Sequence, residues 1–200
     1  MDGKVLGYST KFIVPSGAIN PIDINEQILK DHSAIDDENK LDRSLYRVGS
    51  IGSNFVFANW SEDEIQIQPT EINIKSRNYD RISKIISVIK VAYSSVKPKT
   101  AEFNFGVHLF DEHYPSQIFS KYVHNKALNL DIIQFKNEDI LITMFNCSKN
   151  TIHIRFGIER SIKSQFSDII FDDNIEFQRM KELAQQFISE ELSIDYTLNF

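Results

Sequence analysis

The chain carries 200 residues, with 22 basic against 28 acidic side chains for a net charge of −6, and it is 42% hydrophobic and 25% charged. That balance is the globular norm, which excludes a disordered or fibrous chain, and its sign disfavours nucleic acid as a partner because phosphate backbones are repelled at long range. The lone cysteine, Cys147, cannot close an internal disulfide. Zinc-finger ligand spacing is absent, no run approaches the roughly 18 apolar residues of a membrane span, and no basic-plus-apolar leader follows Met1. A single cytoplasmic domain over 1–200, with no cofactor, no metal and no membrane association, is the expectation.

Along the chain, Leu6, Tyr8, Thr10, Phe12 and Val14 alternate with polar residues and glycine, which predicts a half-buried strand over Val5–Val14. Asn20 before Pro21 reads as the cap of a short helix over Pro21–Lys30. The acidic, aperiodic stretch 31–44 reads as a mobile surface loop and the first candidate for a functional loop. Strands are predicted over Asn54–Trp60 and Glu64–Lys75, the second put at an edge, bulged or split by Pro69, which has no N–H for a ladder. After Asn78, Ile82, Ile85, Ile86, Ile89, Tyr93 and Val96 recur at helical spacing, ending before Pro98. Ala101–Phe110 is the clearest strand, with Phe103, Phe105, Val107 and Leu109 on one face and Glu102, Asn104, Gly106 and His108 on the other.

A helix over Pro115–Leu128, a short strand over Leu130–Phe135, and a hairpin of Asp139–Phe145 with Thr151–Glu159 follow; the hairpin's second strand presents Thr151, His153, Arg155 and Glu159. Asp173 and Glu176 resemble a capping box opening a helix with Met180, Leu183, Ala184, Phe187 and Ile188 inward, and Ser193–Phe200 reads as a last strand. The fold class is α+β: a mixed, mainly antiparallel sheet with two long amphipathic helices packed on one face. The order strand, strand, helix, strand occurs twice, so two similar halves are an alternative reading. Phe110, Phe135 and Phe200 fall off the main stripes and are candidates for an interface patch.

Phosphate-loop, nucleophile-elbow and zinc-protease patterns are absent. Asp23 with Glu38-Asn39-Lys40 echoes a metal-dependent nuclease only superficially, since a polar loop does not hold ligands rigidly. The residues best placed for chemistry are His108 and His153 on outward strand faces, with Asp111 and Glu159 nearby in sequence, because a carboxylate orients an imidazole and raises its basicity. A solvated strand-face histidine is the plainer reading. Cys147 lacks a recognisable base, and Arg155, Arg160 and Lys163 form a small basic run.

The leading expectation is therefore a non-catalytic protein-interaction module: an accessory subunit, inhibitor or immunity-type protein of a bacterial or phage system. It engages a protein partner, or a second copy, through an edge strand, with its acidic surface turned to a basic partner. The alternative is an enzyme of unrecognised type using His108, His153, Asp111 and Glu159.

Overall fold

A computed structural model describes residues 2–24, 27–28, 47–50, 54–60, 63–110, 132–148, 151–169 and 173–192. In chain order its strands are β1 (Asp2–Ile13), β2 (Arg47–Ser50), β3 (Asn54–Trp60), β4 (Asp63–Gln68), β5 (Glu71–Ser76), β6 (Thr100–Phe110), β7 (Ile132–Asn137), β8 (Ile140–Ser148) and β9 (Thr151–Ser161). Helix α1 (Tyr79–Ala92) follows β5 and helix α2 (Asp173–Gln186) follows β9. Each helix has 14 residues, so the two long helices expected from the periodicity are of ordinary length. The class is α+β, and every strand pair of defined register is antiparallel. No described helix is long and apolar enough to cross a membrane.

The chain divides into two compact units, with the boundary falling inside β1, β6 and β9: unit A is Gly7–Phe103 with Glu159–Asp173, and unit B is Met1–Leu6, Asn104–Ile158 and Asn174–Phe200.

In unit A the strands run in the order β2-β3-β4-β5-β1. Pro69 splits the predicted 64–75 strand into the hairpin β4–β5, where Gln68 pairs with Glu71 and Ile67 with Ile72. Strand β2 carries no alternation legible in the sequence. Ile65, Ile67, Ile72 and Ile74 are all buried to 1% exposure or less, beneath the face of α1 that carries Ile82, Ile85, Ile86, Val88 and Ile89. Isoleucine and valine cost a helix up to about 0.7 kcal/mol each relative to alanine. Burying each one returns about 1.5–3 kcal/mol, so packing and not propensity holds α1. The Asn78 side chain starts the helix by accepting from the Asp80 and Arg81 amides at 2.9 and 3.4 Å. Within the expected 21–30 helix, the described residues form a 3-10 turn at Pro21–Asp23, whose Asn20 side chain makes no capping bond, and Gln27 and Ile28 are α-helical.

The first strand departs from simple alternation. Tyr8, Thr10 and Phe12 are buried as predicted, but Leu6 lies against the Cβ position of Gly106, on the opposite side of the strand. Gly7 makes the switch: its φ is +137°, and a Cβ there would sit 2.6 Å from the Ser76 carbonyl oxygen, so only glycine fits.

In unit B the order is β6-β9-β8-β7. The β7–β8 hairpin turns through Glu138-Asp139, with Glu138 at φ +53°, a conformation that costs a non-glycine residue about 1 kcal/mol. Ile142, Met144, Ile154 and Phe156 are fully buried on one face, facing Phe177, Met180, Ala184, Phe187 and Ile188 of α2 and the π-helical turn that ends it. Phe187 joins the layers, its ring centroid 6.1 Å from Phe156 and 5.2 Å from Phe135. Phe135, expected off the core stripe, thus packs under the helix end. The predicted 31–44 loop, 115–128 helix and 193–200 strand lie outside the described residues, as do Asp111 and Phe200.

Candidate functional site

The register of unit B fixes a second face, turned away from α2. Ile132 pairs with Phe145 and Phe145 with His153; Gln134 pairs with Thr143 and Thr143 with Arg155; Lys136 pairs with Leu141 and Leu141 with Gly157. Because side chains alternate across a strand, these residues share one side, and β6 adds Asn104, Gly106 and His108 to it. The two glycines accommodate large neighbours. A Cβ on Gly157 would meet Asn104 Oδ1 at 2.8 Å, and one on Gly106 would meet His153 Nε2 at 3.2 Å.

This face is unusually apolar for one turned away from a helix. Thr143 is 0% exposed, and its hydroxyl accepts a hydrogen bond from Gln134 Nε2 at 3.2 Å. Phe145 is half-buried, its ring 5.4 Å from that of His153 and 5.7 Å from the Arg155 guanidinium carbon, close enough for a cation–π contact. Ile132 and Leu141, at 52% and 42% exposure, are two of the large apolar side chains that unit B leaves open to solvent.

His108 and His153 meet on this face with ring centroids 6.2 Å apart, edge to face. Burial first, and then the charges of His108 and Arg155, hold the His153 imidazole below its ordinary value, so it is neutral at pH 7. The Nε2 atom of His108 is buried and makes no hydrogen bond. The two imidazoles are therefore close neighbours flanked by the permanent cation of Arg155. General acid–base chemistry needs more: Glu159 belongs to unit A, six residues beyond His153 on the same strand, about 20 Å away at the ordinary rise. Among the described residues no group of three or more His, Cys, Asp or Glu side chains is placed to hold a metal ion. The side chain of Cys147 and the Glu38-Asn39-Lys40 stretch lie outside the described residues, while Arg160 and Lys163 belong to unit A.

A second cluster lies at the other end of unit B. Arg179 on α2 holds Asp139 at 2.9 Å, Glu176 at 3.3 Å and Glu138 at 3.7 Å. An open cavity of about 440 Å³ adjoins it, with Glu138, Glu182 and Leu183 among its walls. The guanidinium is already committed to carboxylates, and its evident work is to tie the β7–β8 turn to α2. Only the Glu176–Arg179 spacing was visible in the sequence; the partnership with a turn 40 residues away was not.

No protein-family model matches the chain, and no curated protein does. Among solved structures it is similar to the TBP of Methanococcus jannaschii, at 11% identity over 92% of this chain and 97% of that one, with a TM-score of 0.32. It is also similar to the heterotetrameric sarcosine oxidase of Corynebacterium sp. U-96 in complex with pyrrole 2-carboxylate, at 11% identity over 96% and 83% of the two chains, with a TM-score of 0.27. At those scores neither carries an argument about this chain.

Proposed function

We propose that this protein is a non-catalytic interaction module, of the accessory, inhibitor or immunity type in a bacterial or phage system, working in the cytoplasm. The observation that carries the reading is the second face of unit B, where exposed Ile132 and Leu141 flank half-buried Phe145 over a threonine with no exposure. A strand face left to water is normally polar, and apolar side chains grouped on one mark a surface that a partner desolvates. Strand β7 adds to it: among the described residues it ends the strand order and pairs only with β8, so its outer backbone groups suit edge pairing with a partner or a second copy.

Affinity capture of the tagged full chain from its host, with light scattering on the eluate, tests the reading. Leu141→Asp and Ile132→Asp change exposed positions and are expected to leave stability within about 0.5 kcal/mol while lowering recovery of a stoichiometric partner, or of dimer, at least tenfold. Undiminished recovery by both variants, or a lone monomer from the wild type, sinks it. The alternative enzyme reading has the His108–His153 contact in its favour and requires an orienting group that unit B does not supply among its described residues.

A further inference from the structure

We infer that the surface which docks on the second face of unit B is acidic: a protein segment carrying carboxylates among apolar side chains. The inference rests on the interaction reading above and names the chemistry of its partner. The starting point is where the charges fall. The chain has 28 Asp and Glu residues, yet none lies in 104–110, 132–137, 140–148 or 151–158, the segments of β6, β7, β8 and β9 in unit B; the short piece of β1 in that unit adds Asp2 and Lys4. Those same segments hold Lys136, Arg155, His108 and His153. An acidic protein has thus kept its carboxylates off these four strand segments and left cations there.

Among the described residues Lys136 and Arg155 also form no ion pair. On unit A the described cations of β1 and β5 are neutralised in place, Lys11 by Glu71 at 3.0 Å and Lys75 by Glu64 at 3.2 Å. Arg155 instead contacts the Phe145 ring. The buried, unbonded Nε2 of His108 adds a polar atom in want of a partner. Register and sheet spacing put the Cα atoms of Lys136 and Arg155 about 12 Å apart, and Arg155 about 7 Å along β9 from His153. Ile132, Leu141 and Phe145 occupy the ground between and beside them. An extended segment with acidic residues two or more positions apart, and apolar ones among them, matches that arrangement in both charge and hydrophobicity. A nucleic acid strand fits less well, because two fixed cations do not make a track along a phosphate backbone and the net charge of −6 opposes it.

The probes are three: a blocked hexapeptide alternating Glu and Val, its Lys–Val counterpart, and a single-stranded oligothymidylate, each titrated into the full-length protein by NMR. The Glu–Val peptide is expected to shift signals of Ile132, Leu141, Phe145 and His153, to bind more weakly as salt rises, and to lose at least tenfold in affinity in the Lys136→Glu/Arg155→Glu variant. The charge-conserving Arg155→Lys is expected to restore most of the loss. Equal or tighter binding of the Lys–Val peptide, tighter binding of the oligothymidylate on this face, or no binding of any probe overturns the inference. Full retention of a captured stoichiometric partner by Lys136→Glu/Arg155→Glu overturns it too, while leaving the interaction reading in place; failure of that reading shows separately, as an unchanged capture by Leu141→Asp and Ile132→Asp.

Discussion

Units A and B use the same construction, an antiparallel sheet with one helix over its buried face, and treat the other face in opposite ways. In unit A the face away from α1 carries Lys11, Glu71, Asn73, Lys75 and Glu64, closed among themselves by ion pairs and by the Asn73–Glu71 hydrogen bond at 2.9 Å. Such pairs contribute about 0–1 kcal/mol each, so what the face gains is solubility and a blunted surface more than stability. In unit B the corresponding face carries Phe145, Leu141, Ile132, a buried threonine and two imidazoles, with cations left unpaired among the described residues. A sheet face that satisfies itself has no chemistry left to offer a partner. One that leaves apolar area and charge unanswered does.

The largest test of this comparison is in the buried layers, which are expected to be alike where the outer faces differ. Phe156 in unit B and Phe12 in unit A are both 0% exposed and both pack edge-on against another ring, Phe187 at 6.1 Å and Phe166 at 5.3 Å. Phe156→Ala and Phe12→Ala are each expected to lose about 3–5 kcal/mol in urea unfolding, the cost of deleting a buried ring. A loss under about 1 kcal/mol in either would mean that its unit lacks the packed core described here. Next in size is Gly7→Ala. Positive φ and a 2.6 Å approach to the Ser76 carbonyl force the strand to shift, with an expected cost of about 1–3 kcal/mol. A neutral result would remove the bulge that turns Leu6 to the other side of β1.

A sharper comparison comes from one substitution made in both units. Thr10 is 1% exposed in unit A, and its hydroxyl is buried without a hydrogen bond. Thr143 is 0% exposed in unit B, and its hydroxyl is bonded to Gln134. Thr10→Val removes an unsatisfied group and is expected to stabilise by about 1 kcal/mol, whereas Thr143→Val gives up a made hydrogen bond, the exposed Gln134 amide turning to water, and is expected to cost about 0.5 kcal/mol. The same change in the same measurement should have opposite signs; equal signs would overturn the hydrogen-bond assignment of one site.

The sequence made much of this visible wherever one period dominated. The isoleucines of α1 and the Phe103–Leu109 alternation put those residues in the core because burial of large side chains outweighs local preference, and Pro69 announced a break because it cannot join a ladder. What stayed hidden depended on pairing across distant segments. Gly7 carries no sign that it reverses the strand's faces, since the cause is the Ser76 carbonyl beside it. The bond from Gln134 to Thr143 and the grip of Arg179 on Asp139 depend on register and on where a helix docks. His108 and His153 stood out as strand-face imidazoles, and their contact follows from β6 lying beside β9; Asp111 lies outside the described residues, and Glu159 is too far along the strand to orient His153. The absence of carboxylates from the unit B segments of β6, β7, β8 and β9 was legible in the residues, but acquires meaning only once those segments are known to lie side by side.

The smallest expected effects are in pH, and they separate the units by window. Glu71 in unit A is held below its ordinary value of about 4.5, first by the Lys11 ammonium, against a smaller opposing effect of burial. A depressed carboxyl stabilises the fold above its unfolded value, and that contribution fades as pH falls through the folded one. The pair is part-exposed, so its worth is at most about 1 kcal/mol. His153 in unit B is held below about 6.5, mainly by burial and then by His108 on β6 and Arg155 on its own strand, while β8 presents uncharged Phe145 to it. Between the unfolded and folded values the unfolded chain binds the proton more readily, so this contribution is complete above pH 6.5 and is lost as pH falls below it. Urea midpoints measured from pH 7.5 to pH 3.5 are therefore expected to decline in two steps. His153→Phe should flatten the upper step and leave the lower, and Glu71→Gln should do the reverse. A single variant that flattened both steps would show that the two groups titrate as one network, and the contrast between a self-neutralised face and an open one would fail there.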